Sequence, residues 1–84
     1  PDLRQELRGA LGREASPVVV DLGAVPFIDS SGLATLIEAL HGVGKYGGKL
    51  RLVDLQPGVM NLFKLSNLTS IFDIRETRED ALGD

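Results

Sequence analysis

A run of β-branched residues followed by a helical repeat of apolar residues most limits the folds open to this chain. Residues 18–22 (Val-Val-Val-Asp-Leu) are nearly continuously apolar, which predicts a strand buried on both faces. Beyond a connector, apolar residues return at helical spacing: Leu33, Leu36, Ile37, Leu40 and Val43. Gly47 and Gly48 are expected to end this helix, because glycine adopts the left-handed C-cap conformation at little cost.

The same alternation continues on both sides of this unit. Residues 2–13 carry a helical stripe, residues 50–53 read as a second strand, and residues 71–74 read as a third. Strands separated by helices predict an α/β fold with a small parallel sheet and crossover helices. Three strands leave two open edges, so we expect further strands or a partner, such as a second copy in a homodimer, to cover one of them.

Finer details of these elements also follow from residue type. We expect residues 26–28 to lie beneath the helix that follows them. Pro57 suits the first turn of a third helix, and Asn67 suits its end. Thr77 is expected to cap a last helical turn, with Asp80 three residues later. The stripe of the first helix is Leu3, Leu7, Ala10 and Leu11, and the inner face of the third is Val59, Leu62, Phe63 and Ser66.

Composition narrows the function classes. The 84 residues predict a single domain, and a net charge of −3 argues against a nucleic-acid partner. The absence of cysteine is typical of a reducing compartment, and no apolar run approaches the ~20 residues that span a bilayer. We therefore expect a cytoplasmic protein without direct membrane contact. One histidine and scattered carboxylates offer no metal-ligand spacing, and we expect no cofactor.

Catalysis is not expected either. His41 lies about three helical turns beyond Ser31, roughly 15 Å away, which is too far for a Ser-His-Asp arrangement. The segment 42–45 (Gly-Val-Gly-Lys) faintly resembles a phosphate loop, but it lacks a following Ser or Thr and falls at a helix end. We predict no catalytic residues and interpret the chain as a protein that is not an enzyme.

Residues 29–32 (Asp-Ser-Ser-Gly), here called the motif turn, join the first strand to the long helix. Free amides and the positive helix dipole favour a negative group at such a position. Ser30 and Ser31 are therefore either plain N-cap residues, worth roughly 1 kcal/mol, or a site that carries a phosphate. Ser30 is expected to cap the helix while Ser31 is displayed. Asp29 is read as a cap or as a group that positions the hydroxyl, and Gly32 as a point of close approach for a partner.

Taken together, residues 18–22, 27–33, 47–53, 57–68 and 71–74 closely resemble the STAS domain of anti-sigma factor antagonists. The resemblance covers nearly the whole chain and implies a STAS-like α/β fold for residues 1–84. Domains of that family normally begin with strands before their first helix, whereas this chain begins inside the region that matches the helix. We therefore expect a STAS-like domain that lacks the N-terminal strands.

The resemblance also implies a function. In such antagonists the second hydroxyl residue of the motif, here Ser31, is phosphorylated. The unphosphorylated antagonist binds an anti-sigma factor, often itself the serine kinase, and thereby releases a sigma factor; a phosphatase reverses the modification. The resemblance thus predicts a partner-binding surface at Asp29, Ser30, Ser31, Gly32 and Thr35.

Other functions stay open at this point. STAS domains also serve as scaffold modules of anion transporters and of lipid ABC transporters, where the serine need not be modified. A stressosome-type scaffold is a third interpretation, and a hydrolase is a distant fourth. The two adjacent serines favour the phosphorylation switch.

Overall fold

The structure is a computed structural model that describes residues 3–83. Four α-helices and three β-strands alternate along this part of the chain. They are α1 (Leu3–Gly12), β1 (Val18–Asp21), α2 (Ser30–Gly44), β2 (Leu50–Val53), α3 (Pro57–Leu65), β3 (Asp73–Arg75) and α4 (Arg78–Leu82), with a 3-10 turn at Leu68–Ser70 before β3.

The strands form one parallel sheet in the order β1-β2-β3. Val18 lies opposite Leu50, and Leu52 lies opposite Ile74. The predicted α/β fold with a small parallel sheet and intervening helices is therefore confirmed. No helix within residues 3–83 is long and apolar enough to cross a membrane.

The two faces of the sheet are covered differently. Because side chains alternate along a strand, Val18, Val20, Leu50 and Leu52 share one face, which packs against α1, α2 and α3. The predicted stripes supply Leu7, Ala10, Leu36, Val43, Val59 and Phe63 to this core, and α2 adds Ala39, which lies outside the predicted stripe. The opposite face carries Arg51 and is covered by the short helix α4 through the buried Ala81. The sheet is thus a middle layer.

The prediction that β1 is buried on both faces is wrong. Val18 and Val20 are buried, but Val19 is half-buried and Asp21 is exposed. Within the described residues β1 lies at the edge of the sheet, and a groove of about 300 Å³ runs beside it between α1 and Arg78. The fully buried strand is β2, which lies in the centre of the sheet.

The end of α2 follows the predicted glycine cap. Regular helix ends at Gly44, and the chain then closes with a bond from the Gly48 amide to the Val43 carbonyl (2.8 Å). Gly47 has a φ of 73°, and its amide bonds the Gly44 carbonyl at 3.3 Å. This pair of bonds is the Schellman arrangement, in which a left-handed glycine satisfies the last carbonyls of a helix.

Two predictions need correction: where the third strand begins, and where Ser66 lies. The third strand begins at Asp73, because the amides of Ile71 and Phe72 both bond the Leu68 carbonyl in the preceding turn and cannot join the ladder. Ser66 was predicted on the inner face of α3, but it is the exposed C-cap residue. Asn67 ends the helix as predicted, in the left-handed conformation at φ 58°.

Candidate functional site

Asp29 sets the start of α2. It is the N-cap residue, its carboxylate accepts a hydrogen bond from the Gly32 amide at 2.8 Å, and its carbonyl accepts one from Leu33 at 3.0 Å. This satisfies one of the free amides of the first turn. The prediction that Ser30 caps the helix is wrong, because Asp29 takes the N-cap position and Ser30 and Ser31 are the first two residues of the helix.

Both serines are exposed in this first turn. Ser31 is the second residue of α2, so its hydroxyl stands beside the positive end of the helix dipole. A phosphoryl group there would add about −1.5 to −2 charges next to helix amides, which favour negative charge. The Asp29 carboxylate opposes it as a like charge, although that carboxylate is already bonded to the Gly32 amide. A phosphate is thus compatible with the helix.

On one side of the motif turn lies a shallow depression of about 320 Å³, here called the polar depression. It is lined by Leu3, Arg4, Ser31, Gly32 and Thr35. Thr35 is only 8% exposed. Its hydroxyl donates to the Ser31 carbonyl at 3.0 Å and accepts from the Arg4 guanidinium at 3.5 Å.

Thr35, which the resemblance predicts in the partner-binding surface, is thus nearly buried, and its role in partner binding stays a prediction. Residues 31 and 35 lie one turn apart on the same helical face, and at Thr35 that face packs towards α1. Thr35 therefore forms the floor of the polar depression. Arg4, which the sequence analysis did not single out, is exposed at its rim.

On the other side lies an apolar groove of about 190 Å³, lined by Leu3, Leu22, Val25, Phe27, Ile28, Asp29, Gly32 and Leu36. The prediction that residues 26–28 lie beneath α2 holds only for Ile28, which packs against the core. Pro26 is exposed, and Phe27 is 74% exposed. Val25 and Ile28 fill the space under the helix, so the aromatic ring between them projects outward. An exposed phenylalanine thus stands next to the motif turn.

Gly32 has a reason to be glycine within the chain itself. A Cβ at this position would lie 3.2 Å from the Ile28 Cγ2 atom and 3.5 Å from the Asp29 carboxylate. The close packing of the connector against the first turn of α2 therefore leaves no comfortable room for a side chain. Its predicted role in letting a partner approach stays a prediction.

The remaining polar candidates lie elsewhere. His41 is exposed near the far end of α2, separated from Ser31 by most of the helix. Gly42 packs against α1, where an added Cβ would meet the Leu11 side chain, and Lys45 is the C-cap residue. Residues 42–45 are thus a helix end, as the sequence analysis interpreted them.

Replacing Asp29 with alanine is expected to lower the free energy of unfolding by about 1 kcal/mol, because the Gly32 amide loses its cap. Asp29→Asn removes the same charge but keeps a good capping oxygen, so it is expected to lose only a few tenths of a kcal/mol. Urea unfolding followed by circular dichroism separates the two. Equal losses in both variants would show that charge, not the cap, matters at this position.

The family model described as the STAS domain matches residues 1–81. A Thermotoga maritima protein, a candidate anti-sigma factor antagonist, has a crystal structure that superposes with a TM-score of 0.85 at 24% identity, covering 94% of this chain and 71% of that one. At that identity the likeness establishes the fold.

Sequence relatives point to the same family. BtrV of Bordetella bronchiseptica, a candidate anti-sigma factor antagonist, is 33% identical over 79 residues. The anti-sigma F factor antagonist of Paenibacillus polymyxa is 30% identical over 70 residues, and the anti-sigma-B factor antagonist of Bacillus subtilis is 32% identical over 79. These alignments cover 94%, 83% and 94% of this chain and 68%, 60% and 72% of the respective relatives. The chain therefore belongs to the STAS domain family.

Proposed function

We propose that this chain is an anti-sigma factor antagonist, which binds an anti-sigma factor through the motif turn and the surface around it. The observation that carries the proposal is the exposure of Ser31 in the first turn of α2, on a surface that also displays Phe27. Three relatives at 30–33% identity carry antagonist names. An exposed aromatic ring four residues before an exposed hydroxyl is suited to protein contact, because aromatic residues are common anchors of interfaces.

Phosphorylation of Ser31 is proposed to control this binding. The unphosphorylated protein would bind the anti-sigma factor, which in this scheme is also the serine kinase, and a phosphatase would restore the hydroxyl. Ser31 is reachable by a kinase without unfolding of α2, since its side chain is exposed. A phosphate at a helix N-terminus is favoured electrostatically, so we infer that it acts at the binding surface, by charge and bulk, and not by melting the helix.

The proposed contact surface consists of Asp29, Ser30, Ser31, Gly32 and Phe27. Thr35 belongs to it indirectly, because its hydroxyl holds the Ser31 carbonyl from below. The apolar groove beside Phe27 would receive apolar side chains of the partner, and the exposed serines would lie at its rim. An apolar centre with a polar rim is the common arrangement of protein interfaces.

The test is affinity capture from a lysate of the source bacterium with immobilised Ser31→Ala and Ser31→Asp variants, followed by quantitative mass spectrometry. We expect an anti-sigma factor with a serine-kinase domain on the Ser31→Ala matrix and its depletion on the Ser31→Asp matrix. Ser66→Asp is the matched control, because Ser66 is an exposed serine at the far end of α3. Equal capture by all three variants would refute control through residue 31, and recovery of membrane-transport subunits would favour a transporter scaffold.

Phe27→Ala is expected to weaken binding to the captured anti-sigma factor by about 5- to 30-fold, since truncating an interface aromatic typically costs about 1–2 kcal/mol. The stability of the free protein should change by less than about 0.5 kcal/mol, because the ring is largely exposed. Leu65→Ala is the control, another exposed apolar residue but one at the end of α3. Isothermal titration calorimetry measures the affinities of the two variants. Equal affinities for the Phe27 and Leu65 variants would exclude Phe27 from the interface.

A further inference from the structure

We propose that Arg4 binds the phosphoryl group carried by Ser31, so that the phosphorylated form is held by an ion pair between α1 and α2. This inference rests on the proposed phosphorylation of Ser31. Its structural basis is independent of any partner, because both residues belong to this chain and line the same polar depression.

The contacts already present bring the guanidinium to this place. Arg4 Nη2 lies 3.5 Å from the Thr35 hydroxyl, and that hydroxyl donates to the Ser31 carbonyl at 3.0 Å. Arg4 is therefore two hydrogen bonds away from the backbone of Ser31. The Arg4–Thr35 bond is at the long limit for a hydrogen bond, and the Arg4 side chain is otherwise exposed, so little is lost when the guanidinium turns towards a stronger acceptor.

The packing of the two helices fixes Arg4 beside the first turn of α2. Arg4, in the first turn of α1, contacts Thr35, while Leu11, near the end of α1, packs against Gly42 near the end of α2. The helices therefore run in the same general direction, with their N-termini together. Gly42 permits this close packing, because an added Cβ would lie only 2.8 Å from a Leu11 methyl carbon.

The chemistry of the pair is favourable. A guanidinium presents parallel N–H donors that match two phosphate oxygens, and such charge-assisted bonds are among the stronger hydrogen bonds in proteins. The pair would offset the repulsion between the phosphate and the Asp29 carboxylate at the N-cap. It would also withdraw the Arg4 cation from the surface offered to a partner, so phosphorylation would remove a positive charge as well as add a negative one.

The experiment uses the 84-residue chain with phosphoserine incorporated at position 31 during translation, so that no kinase is needed. Phosphorus-31 NMR titration reports the second pKa of the phosphate, which is ordinarily about 6. We expect this pKa to be lower by about 0.5 unit or more in the unsubstituted phosphoprotein than in its Arg4→Gln variant, because a nearby cation favours the dianion. Arg4→Lys keeps the charge but lacks the parallel N–H donors of the guanidinium, so its phosphate pKa should lie between those of the other two proteins.

Arg13→Gln is the matched control. It removes the same charge from the same helix, about 13 Å farther along α1, and should leave the phosphate pKa unchanged. Equal pKa values in the Arg4→Gln variant and the unsubstituted phosphoprotein would overturn the proposal, as would an equal shift from Arg13→Gln, which would indicate a general charge effect. Neither kinase nor partner enters the measurement, so failure of the proposed function in the capture experiment remains separate from failure of this ion pair.

Discussion

Phosphoserine at position 31 is expected to weaken binding to the captured anti-sigma factor at least about 100-fold, which corresponds to about 3 kcal/mol. The reason is the surface on which Ser31 lies: the residue is exposed and lines the polar depression, and its neighbour Gly32 also lines the apolar groove. A phosphate there brings nearly two negative charges and a large hydrated group into the proposed contact, at the rim of the apolar groove. Desolvating such a group, or placing it against like charge, costs several kcal/mol.

The same modification should leave the free protein folded. The phosphate sits at a helix N-terminus, where negative charge stabilises by about 0.3–1 kcal/mol, and the opposing Asp29 carboxylate is already bonded to Gly32. For a domain of this size 1 kcal/mol corresponds to about 4–8 °C, so we expect the melting temperature to change by less than about 5 °C.

Affinity is measured by calorimetry and melting temperature by circular dichroism on the same samples, with phosphoserine at position 66 as the control for added charge. Loss of affinity at 31 but not at 66, with an unchanged melting temperature, is the expected pattern. An affinity within a factor of three of the unmodified protein would refute the switch. A melting temperature lowered by more than about 10 °C would instead mean that the phosphate acts by disrupting α2.

The order of the elements could be predicted because each depends on local periodicity. The stripe through Leu36 and Val43 and the glycines at the end of α2 act within one helix, and the structure follows them. The start of β3 could not be predicted in this way. Ile71 and Phe72 look like strand residues, but a turn closed on the Leu68 carbonyl uses their amides, and Phe72 reaches the core by packing on Phe63.

At the candidate site, too, the features that depend on local sequence could be predicted, and those that depend on tertiary packing could not. The motif turn is a local feature, so its position at the start of α2 followed from residues 29–32 alone. The burial of Thr35 and the position of Arg4 could not be predicted from local sequence, because they depend on how α1 packs against α2. Arg4 and Thr35 are 31 positions apart in the sequence. The exposure of Phe27 could not be predicted for a related reason: the local sequence does not distinguish Phe27 from Ile28, and only the tertiary structure shows that Ile28 takes the covered position.

Arg51→Ala is expected to lower the free energy of unfolding by about 3–5 kcal/mol, much of what a domain of this size has. Arg51 is only 1% exposed, in the centre of the sheet. Its guanidinium donates to the Ala81 carbonyl of α4 and to the Asp73 carboxylate of β3 at 3.3 Å. The substitution would leave a cavity and deprive a buried carbonyl of this donor, and both losses are costly.

Two further variants identify the source of this loss. Arg51→Met keeps most of the volume, so its smaller expected loss of about 1–3 kcal/mol measures the missing hydrogen bonds. Arg78→Ala is the control: Arg78 pairs with Asp21 at 3.8 Å, and its side chain is 67% exposed. Exposed pairs contribute little, so a loss below about 1 kcal/mol is expected.

Acid should weaken the interactions that Asp73 makes with Arg51 and Arg75. The hydrogen bond from Arg75 is the main reason that the pKa of Asp73 lies below its ordinary value of 3.8, and Arg51 lowers it further. Because the folded pKa lies below the unfolded one, Asp73 contributes stability above pH 3.8, and this contribution is lost as the pH falls through the folded pKa. Arg51→Ala should reduce this acid sensitivity without abolishing it, since Arg75 still donates to Asp73.

Urea unfolding at neutral pH and near pH 3, followed by circular dichroism, measures all of these effects. If Arg51→Ala and Arg78→Ala were equally stable, the buried arginine would not be what holds α4 and β3 to the central strand. If Arg51→Met were as destabilised as Arg51→Ala, volume would be unimportant and the hydrogen bonds would account for the whole loss. The expected order, Ala below Met below the unsubstituted protein, requires both: the arginine fills the space under α4 and satisfies the Ala81 carbonyl above it.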